Sequence, residues 1–299
     1  MVVAVIFAII GTAVLPGLAQ PTKQPADIRV VKVATFNIKY DEPRDGINSW
    51  PNRKQMVADI ILEHDLDIIG VQEALHHQLK DLEALLPDIA WCGVGRDEGN
   101  EKGEYSAILY KRSRFTLLKT GTFWLSERPD EPGSKGWDAA LPRVVTWAKF
   151  RDLKTRKTFF HFNTHFDHRG EIARVNSSLL LLERIGRIAK KAKVVITGDL
   201  NANYSTEVYK TLVGSGIKST PRLFDAKRIS EIKYEGPDST FNGFKELVPN
   251  SWIDHIFVSK GIRVLRFSAL DERPEGRWPS DHLPLVAEIS FEQKKDVRK

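Results

Sequence analysis

A chain of 299 residues that is 41 % hydrophobic and 28 % charged has an ordinary globular composition, long enough for a large core in one large domain or two small ones. Its single cysteine, Cys92, excludes an intramolecular disulfide, so stability has to come from packing. The net charge of +6 raises nucleic acid as a partner without establishing it.

Residues 2–18 are apolar and uncharged, and Gly17-Leu18-Ala19 before Gln20 has the small residues of a secretory cleavage site. The expectation is a signal peptide at residues 1–19, a linker at 20–27 and export to the periplasm or the extracellular space. No Lys or Arg follows Met1 in that segment, so a retained membrane anchor is the alternative; once cleaved, the protein is expected to make no stable membrane insertion. Pro16, Pro21 and Pro25 argue against a buried core helix there.

From Ile28 to Ile38 the pattern alternates and then turns apolar, which predicts a strand delivering Asn37. Asn48 or Ser49 caps a helix starting near Trp50-Pro51, with Met56, Ile60 and Ile61 at helical spacing. Asp67 to Glu73 reads as a buried strand ending in a carboxylate. Leu75, Leu79, Leu82 and Leu86 mark a helix that stops before Pro87. Cys92, beside Trp91, reads as a core residue rather than a nucleophile. Four β-like runs follow, Glu104 to Tyr110, Phe115 to Leu125, Arg143 to Phe150 and Thr158 to Thr164. Glu171 to Ala189 is a helix, and the apolar run from Val194 closes abruptly in Gly198-Asp199-Leu200-Asn201. A helix near Thr206 to Leu212 and a less regular stretch to Gly243 precede three last strands, Ser251 to Val258, Ile262 to Ala269 and Leu285 to Phe291. Strands outnumber helices, some joined as hairpins and some through helices, so mixed sheets packed face to face with helices outside are expected. No domain boundary is visible between residues 28 and 293, and 294–299 form a charged tail.

Polar groups recur where these buried strands end: Asn37, Glu73, His165 with Asp167, Asp199 with Asn201, and Asp254, with Ser280-Asp281-His282 just before the last strand. Each alone is an ordinary turn residue, but together they predict one shared rim at the strand ends. His64, His76, His77 and His255 read as surface or packing residues.

In order and type, Asn37, Gln72-Glu73, Asn163-Thr164-His165, Gly198-Asp199-Leu200-Asn201, Asp254 and Ser280-Asp281-His282 resemble the endonuclease/exonuclease/phosphatase superfamily. The resemblance implies a four-layer α/β sandwich, with two mixed, mainly antiparallel sheets, and one catalytic domain over residues 28–293. It implies Mg²⁺-dependent hydrolysis of a phosphoester, with Mn²⁺ or another divalent cation as an alternative. The Gly-Arg-Asp, Gly-Glu-Tyr, Phe-Trp-Leu-Ser and Asp-His-Arg-Gly stretches at Gly95, Gly103, Phe123 and Asp167 resemble exported bacterial members of unassigned substrate.

Phosphoester cleavage needs a poised water, neutralised phosphoryl oxygens and help for the leaving alkoxide. By resemblance, Glu73 is the main metal ligand with Asn37 and Asp281 assisting, hard oxygens that suit Mg²⁺. Asp199 and Asn201 orient or deprotonate the water, and His282 contacts the phosphate, its tautomer set by Asp254. Glu104 with His165 resembles a second carboxylate and imidazole pair of pancreatic deoxyribonuclease, and Arg143 that enzyme's phosphate-binding arginine. The bland alternatives are a solvated Glu104 and a structural ion pair for Arg143. Asp167 and His168 line the substrate site or brace the loop.

One position departs from apurinic endonucleases: Lys39 stands two residues after Asn37, where those enzymes carry an acid. A non-catalytic binding protein or a carboxylate-pair glycan hydrolase are the rival readings; no metal ligand is missing, and the Asn and His pattern is not one that a carboxylate pair alone requires. Thr122 to Leu141 is a long connection predicted to wall the substrate site with Trp137 as an apolar surface, Trp124 being core or wall. The cations Lys111, Arg114, Arg151, Lys154, Arg156, Lys157, Lys193 and Lys260 fall at the strand ends opposite the rim, about 20 Å away. A small phosphorylated substrate is therefore expected before nucleic acid, and a monomer is expected.

Overall fold

The computed structural model describes residues 29–214 and 220–292, so the expected signal peptide, linker and charged tail lie outside the described residues. The elements in chain order are β1 (Val30–Asn37), α1 (Lys54–Glu63), β2 (Ile68–Gln72), α2 (His76–Leu85), β3 (Ile89–Cys92), β4 (Ile108–Lys111), β5 (Phe115–Trp124), β6 (Val144–Asp152) and β7 (Thr158–His165). They continue with α3 (Glu171–Ile188), β8 (Val194–Asp199), α4 (Glu207–Gly214), β9 (Leu223–Asp225), α5 (Ala226–Ile229), β10 (Asp254–Ser259), β11 (Arg263–Ala269) and β12 (Leu285–Ser290). One six-stranded sheet runs β11-β12-β1-β2-β4-β3 and the other β5-β6-β7-β8-β10-β9. Pairing within each is antiparallel except for one parallel pair, β1 with β2 and β7 with β8. This is the expected pair of mixed sheets. Among the described residues, no helix is long and apolar enough to cross a membrane.

Both faces of the central strands are covered, which is why β2 and β8 read as nearly unbroken apolar runs. Alternate residues serve different layers. Ala34 and Phe36 pack with Val57, Ile61 and Leu79 of α1 and α2, and Phe162 and Ile196 pack with Leu181 and Ile185 of α3. Val33, Ile68, Phe159, Val195, Ile256 and Val258 fill the space between the sheets.

The inter-sheet rows change character along the strands: Val33-Thr35-Asn37, Ile68-Gly70-Gln72, Phe159-His161-Asn163-His165 and Val195-Thr197-Asp199 each pass from apolar to polar toward one end. Midway, Gln72 Nε2 donates to Thr35 Oγ1 at 3.1 Å and Asn163 Oδ1 at 2.7 Å, and Thr197 Oγ1 donates to Asn163 Oδ1 at 2.9 Å. Asn163 Nδ2 donates to the carbonyls of Val71 and Ala107 at 2.8 Å. A buried polar layer of this kind fixes how the sheets face each other. It requires Gly70, because a Cβ there would lie 2.0 Å from Thr197 Oγ1.

Periodicity did not reveal β3, β9 or α5, which have only 4, 3 and 4 residues. β4 starts at Ile108 rather than Glu104, since before it only the isolated bridge of Tyr105 to Ala74 forms.

Candidate active site

Strand direction carries Asn37, Glu73, His165, Asp199 and Asp254 to one end of the sandwich, and the loop before β12 brings Asp281 and His282 to the same end. Glu73, Glu104, Arg143, His165, His168, Asp199, Asn201, Asp281 and His282 line one cleft of about 490 Å³. Lys39, Tyr40, Leu141, Phe241 and Ile253 complete the walls.

Glu73 follows β2 in a left-handed conformation (φ +60°). Its Oε1 accepts from Asn37 Nδ2 at 3.1 Å and its Oε2 from the Tyr40 N–H at 3.3 Å, with Lys39 Nζ 3.8 Å away. Burial opposes its ionisation, but Lys39, His282 and these donors outweigh burial and hold its pKa below the ordinary value. Asn37 Nδ2 also donates to Asp199 Oδ2 at 3.0 Å, tying the two sheets together at the rim. Asp281 is pushed the other way, upward, by burial and by the negative charge of Glu73.

The loops bearing these groups are held by Arg53, a residue that the sequence did not single out. Its guanidinium is 1 % exposed and donates to four carbonyls, those of Asn48, Ile38, Pro279 and Lys39. It therefore clamps the Lys39 turn to the segment before Asp281, while Ser280 Oγ donates to the Asn37 carbonyl at 2.7 Å. Lys39 itself sits at φ +56°.

On the other sheet, Asp254 Oδ2 lies 2.8 Å from His282 Nδ1, the expected pair. Burial alone would disfavour the imidazolium, yet Asp254 and Asp199 raise the His282 pKa well above its ordinary value. Asp199 stands opposite Asp254 in the β8–β10 ladder, 3.8 Å from His282 Nε2 and 3.5 Å from His165 Nε2. Burial and the Asp254 charge push Asp199 up to about 7. Asn201 Nδ2 donates to His165 Nε2 at 3.1 Å, which leaves the His165 proton on Nδ1.

Glu104 and His165, the second expected pair, are neighbours without a hydrogen bond: Glu104 Oε2 is 4.0 Å from His165 Nδ1. Glu104 is instead gripped by both terminal nitrogens of Arg96, at 2.6 and 2.7 Å. Arg96 went unnoticed as a site residue, although the Gly-Arg-Asp stretch at Gly95 contains it. Trp124, buried, holds it through a 2.7 Å bond from Nε1 to the Arg96 carbonyl.

Arg143 is 4 % exposed, and its Nη2 donates to His168 Nδ1 at 3.0 Å. The His168 proton is thereby placed on Nε2. Asp167 braces: it accepts from the N–H groups of Leu141, Arg169 and Gly170 and stands 3.5 Å from Arg143 Nε. Trp137 is not brought to the cleft. It lines a separate depression against α3, because the left-handed backbone at Trp137 (φ +50°) turns the chain there. His64, His76 and His77 lie outside the cleft beside Glu272, Glu101 and Asp41, and His255 is buried against the Ala202 carbonyl.

Asp199, Asp254 and His282 place ligand atoms within 4.8 Å of one another, but the His282 and Asp254 atoms are joined in a hydrogen bond, which suits proton handling. The set that fits a hard divalent cation is Glu73, partly exposed to the cleft, and buried Asp281, whose ionisation the Glu73 charge makes costlier, with the Asn37 amide adjoining.

A sequence profile described as the Endonuclease/Exonuclease/phosphatase family matches residues 34–282. The chain belongs to the endonuclease/exonuclease/phosphatase family. That family consists of hydrolases acting on phosphoesters and generally depends on divalent metals. The fold is similar to that of an endonuclease/exonuclease/phosphatase from Bacteroides vulgatus (40 % identity, TM-score 0.82, 88 % of this chain and 99 % of that one). It is also similar to a mannosyl-6-phosphatase from Bacteroides thetaiotaomicron (37 % identity, TM-score 0.79, 87 % and 100 %). Human Nocturnin is 26 % identical over 272 residues, which cover 83 % of this chain but 60 % of Nocturnin.

Proposed function

We propose that the chain is an Mg²⁺-dependent phosphoesterase that hydrolyses a small phosphorylated compound, a phosphomonoester such as a sugar phosphate. The observation that carries this reading is the polarity of the cleft: the carboxylates of Glu73 and Asp281 on one side, and on the other Arg143, whose buried Nη1 has no hydrogen-bond partner among the described residues. An orphaned guanidinium N–H beside a cleft fits a phosphoryl oxygen. The similarity to a mannosyl-6-phosphatase supports a sugar phosphate as the substrate class.

When bound at Glu73 and Asp281, the cation would supply charge neutralisation for the phosphoryl group. Arg143 and the His168 Nε2–H bind the remaining phosphoryl oxygens. Asp199, with its pKa raised, accepts a proton from the attacking water, and Asn201 orients that water. His282, kept cationic by Asp254, donates a hydrogen bond to the phosphate.

Charge placement supports a small substrate over nucleic acid. Cations at the far strand ends are engaged there: Lys111 with Asp65 at 2.6 Å, Arg114 with Asp67 at 2.7 Å and Arg263 with Glu231 at 2.8 Å. The rim loops mix acids with the bases they pair, Glu42 with Arg44, Asp97 with Arg96 and Glu98 with Lys102, and so present mixed charge rather than a basic surface to a long polyanion. Export guided by residues 1–19, and function as a monomer, complete the proposal.

The test is a panel of sugar phosphates, nucleotides, phospholipid headgroups, a bis-aryl phosphodiester and duplex DNA, assayed with Mg²⁺ and with excess chelator. Chelator-reversible turnover of a monoester is expected. Salt-sensitive cleavage of duplex DNA in preference to every small ester, or turnover indifferent to chelator, would overturn the reading.

A further inference from the structure

The loop joining β5 to β6 builds something besides a cleft wall. Trp137 occupies a backbone region that bulky side chains avoid, with φ +50°. Its N–H is held by both carboxylate oxygens of Glu127, at 3.1 and 3.2 Å. Gly136 packs so closely that a Cβ there would lie 2.4 Å from Ser126 Cα. A strained position over-determined in this way presents its side chain deliberately.

The Trp137 indole is half-buried in a surface depression of about 590 Å³ whose other wall is α3. Asn176, Leu179 and Arg184 contribute from that helix. The cations are already neutralised: Arg184 grips Asp130 with two 2.9 Å bonds, and Arg187 pairs with Glu183 at 2.6 Å. An anion therefore has little to gain here. Unspent hydrogen-bonding capacity remains nonetheless. The half-buried Asn176 amide makes no hydrogen bond among the described residues, whereas the Arg184 guanidinium is turned over the Phe123 ring, 5.6 Å from its centroid. An indole beside an amide, with paired charges around them, matches a ligand with a C–H face and a rim of hydroxyls.

We infer that this depression is a binding site for a neutral saccharide, separate from the cleft. Both belong to one loop, since Leu141, four residues after Trp137, lines the cleft and Asp138 caps α3 through the Ala173 N–H at 2.6 Å. The inference goes beyond the phosphoesterase reading, and its test does not require catalysis.

The whole chain is applied to an array of neutral oligosaccharides, and a retained glycan is titrated by calorimetry against wild type, Trp137→Ala and Asn176→Ala. Retention by wild type is expected, weakened about tenfold by Trp137→Ala and about fivefold by Asn176→Ala. Asn176→Ala should keep the wild-type melting temperature and the wild-type hydrolysis of a small chromogenic phosphomonoester. If Trp137→Ala fails to fold, Asn176→Ala decides alone. Failure of wild type to retain any array glycan, or wild-type affinity in folded Asn176→Ala, overturns the site; neither result touches the phosphoesterase reading, which rests on chelator-reversible turnover.

Discussion

The two sheets repeat one device. In each, a parallel pair joined through a helix, β1 with β2 and β7 with β8, carries a carboxylate to the rim at the end of its second strand. Burial opposes ionisation of both carboxylates, but the outcomes are opposite. Lys39 and hydrogen-bond donors hold Glu73 below its ordinary pKa, whereas Asp254 adds to burial and lifts Asp199 to about 7. Two similar positions thus acquire different chemistry, a permanent anion suited to a cation and a group suited to exchanging a proton. Their environments, rather than their residue types, divide the labour.

The sharpest way to break that division is at the carboxylates. Asp199→Asn and His282→Ala should each lower kcat on the order of 10³-fold, a loss that added Mg²⁺ does not recover. Glu73→Gln should instead weaken the apparent Mg²⁺ affinity by about 10- to 100-fold and regain part of its activity as Mg²⁺ is raised. Activity measured against Mg²⁺ concentration distinguishes them, and identical curves for Glu73→Gln and Asp199→Asn would dissolve the comparison.

The first half depends on the buried guanidinium of Arg53, whose four hydrogen bonds all go to backbone carbonyls. Arg53→Met strands four carbonyls and should cost about 3 kcal/mol of stability in urea denaturation. Arg53→Lys, with fewer donors, should recover only part, and a variant as stable as wild type would show that the clamp is dispensable.

In the second half the inward row of β7 carries a buried imidazole, His161, where β1 has Val33. Burial drives the His161 pKa down to about 3. The folded state thus binds fewer protons than the unfolded state between pH 6.5 and 3, and stability falls as pH drops through that window. The loss should reach about 2 kcal/mol between pH 6.5 and 5. His161→Gln should flatten this part of the profile; an unchanged slope would assign it to other groups.

The smallest effect is expected away from both rims. Replacing Lys154, Arg156 and Lys157 with Ala should leave turnover unchanged and stability within about 0.5 kcal/mol. A large loss of activity would mean that the far end takes part in substrate capture.

Much of this was legible in the chain itself. Apolar runs ending in Asn37, Glu73 and Asp199, and one that begins just after Asp254, announce strands that deliver polar groups to one rim, because a strand has a direction and a period of two. The long helices α2 and α3 were visible for the same kind of reason, their apolar residues repeating at helical spacing. Elements of 3 or 4 residues carry no such period, so β9 and α5 were not.

What only the tertiary structure decided is which neighbours each group acquired. Lys39 reads as a departure from an acidic pattern, but folding sets it beside Glu73, where it stabilises the anion. Glu104 is adjacent in space to His165 yet belongs to Arg96, eight residues earlier, since a bidentate guanidinium outcompetes an imidazole for a carboxylate. Trp137 lies in the loop that walls the cleft but turns to α3, a direction set by backbone angles and by Glu127 that residue types do not encode. Sequence order and periodicity determine which residues reach the rim; charge, burial and hydrogen bonding there are pairwise and long-range, and exist only once the two sheets have met.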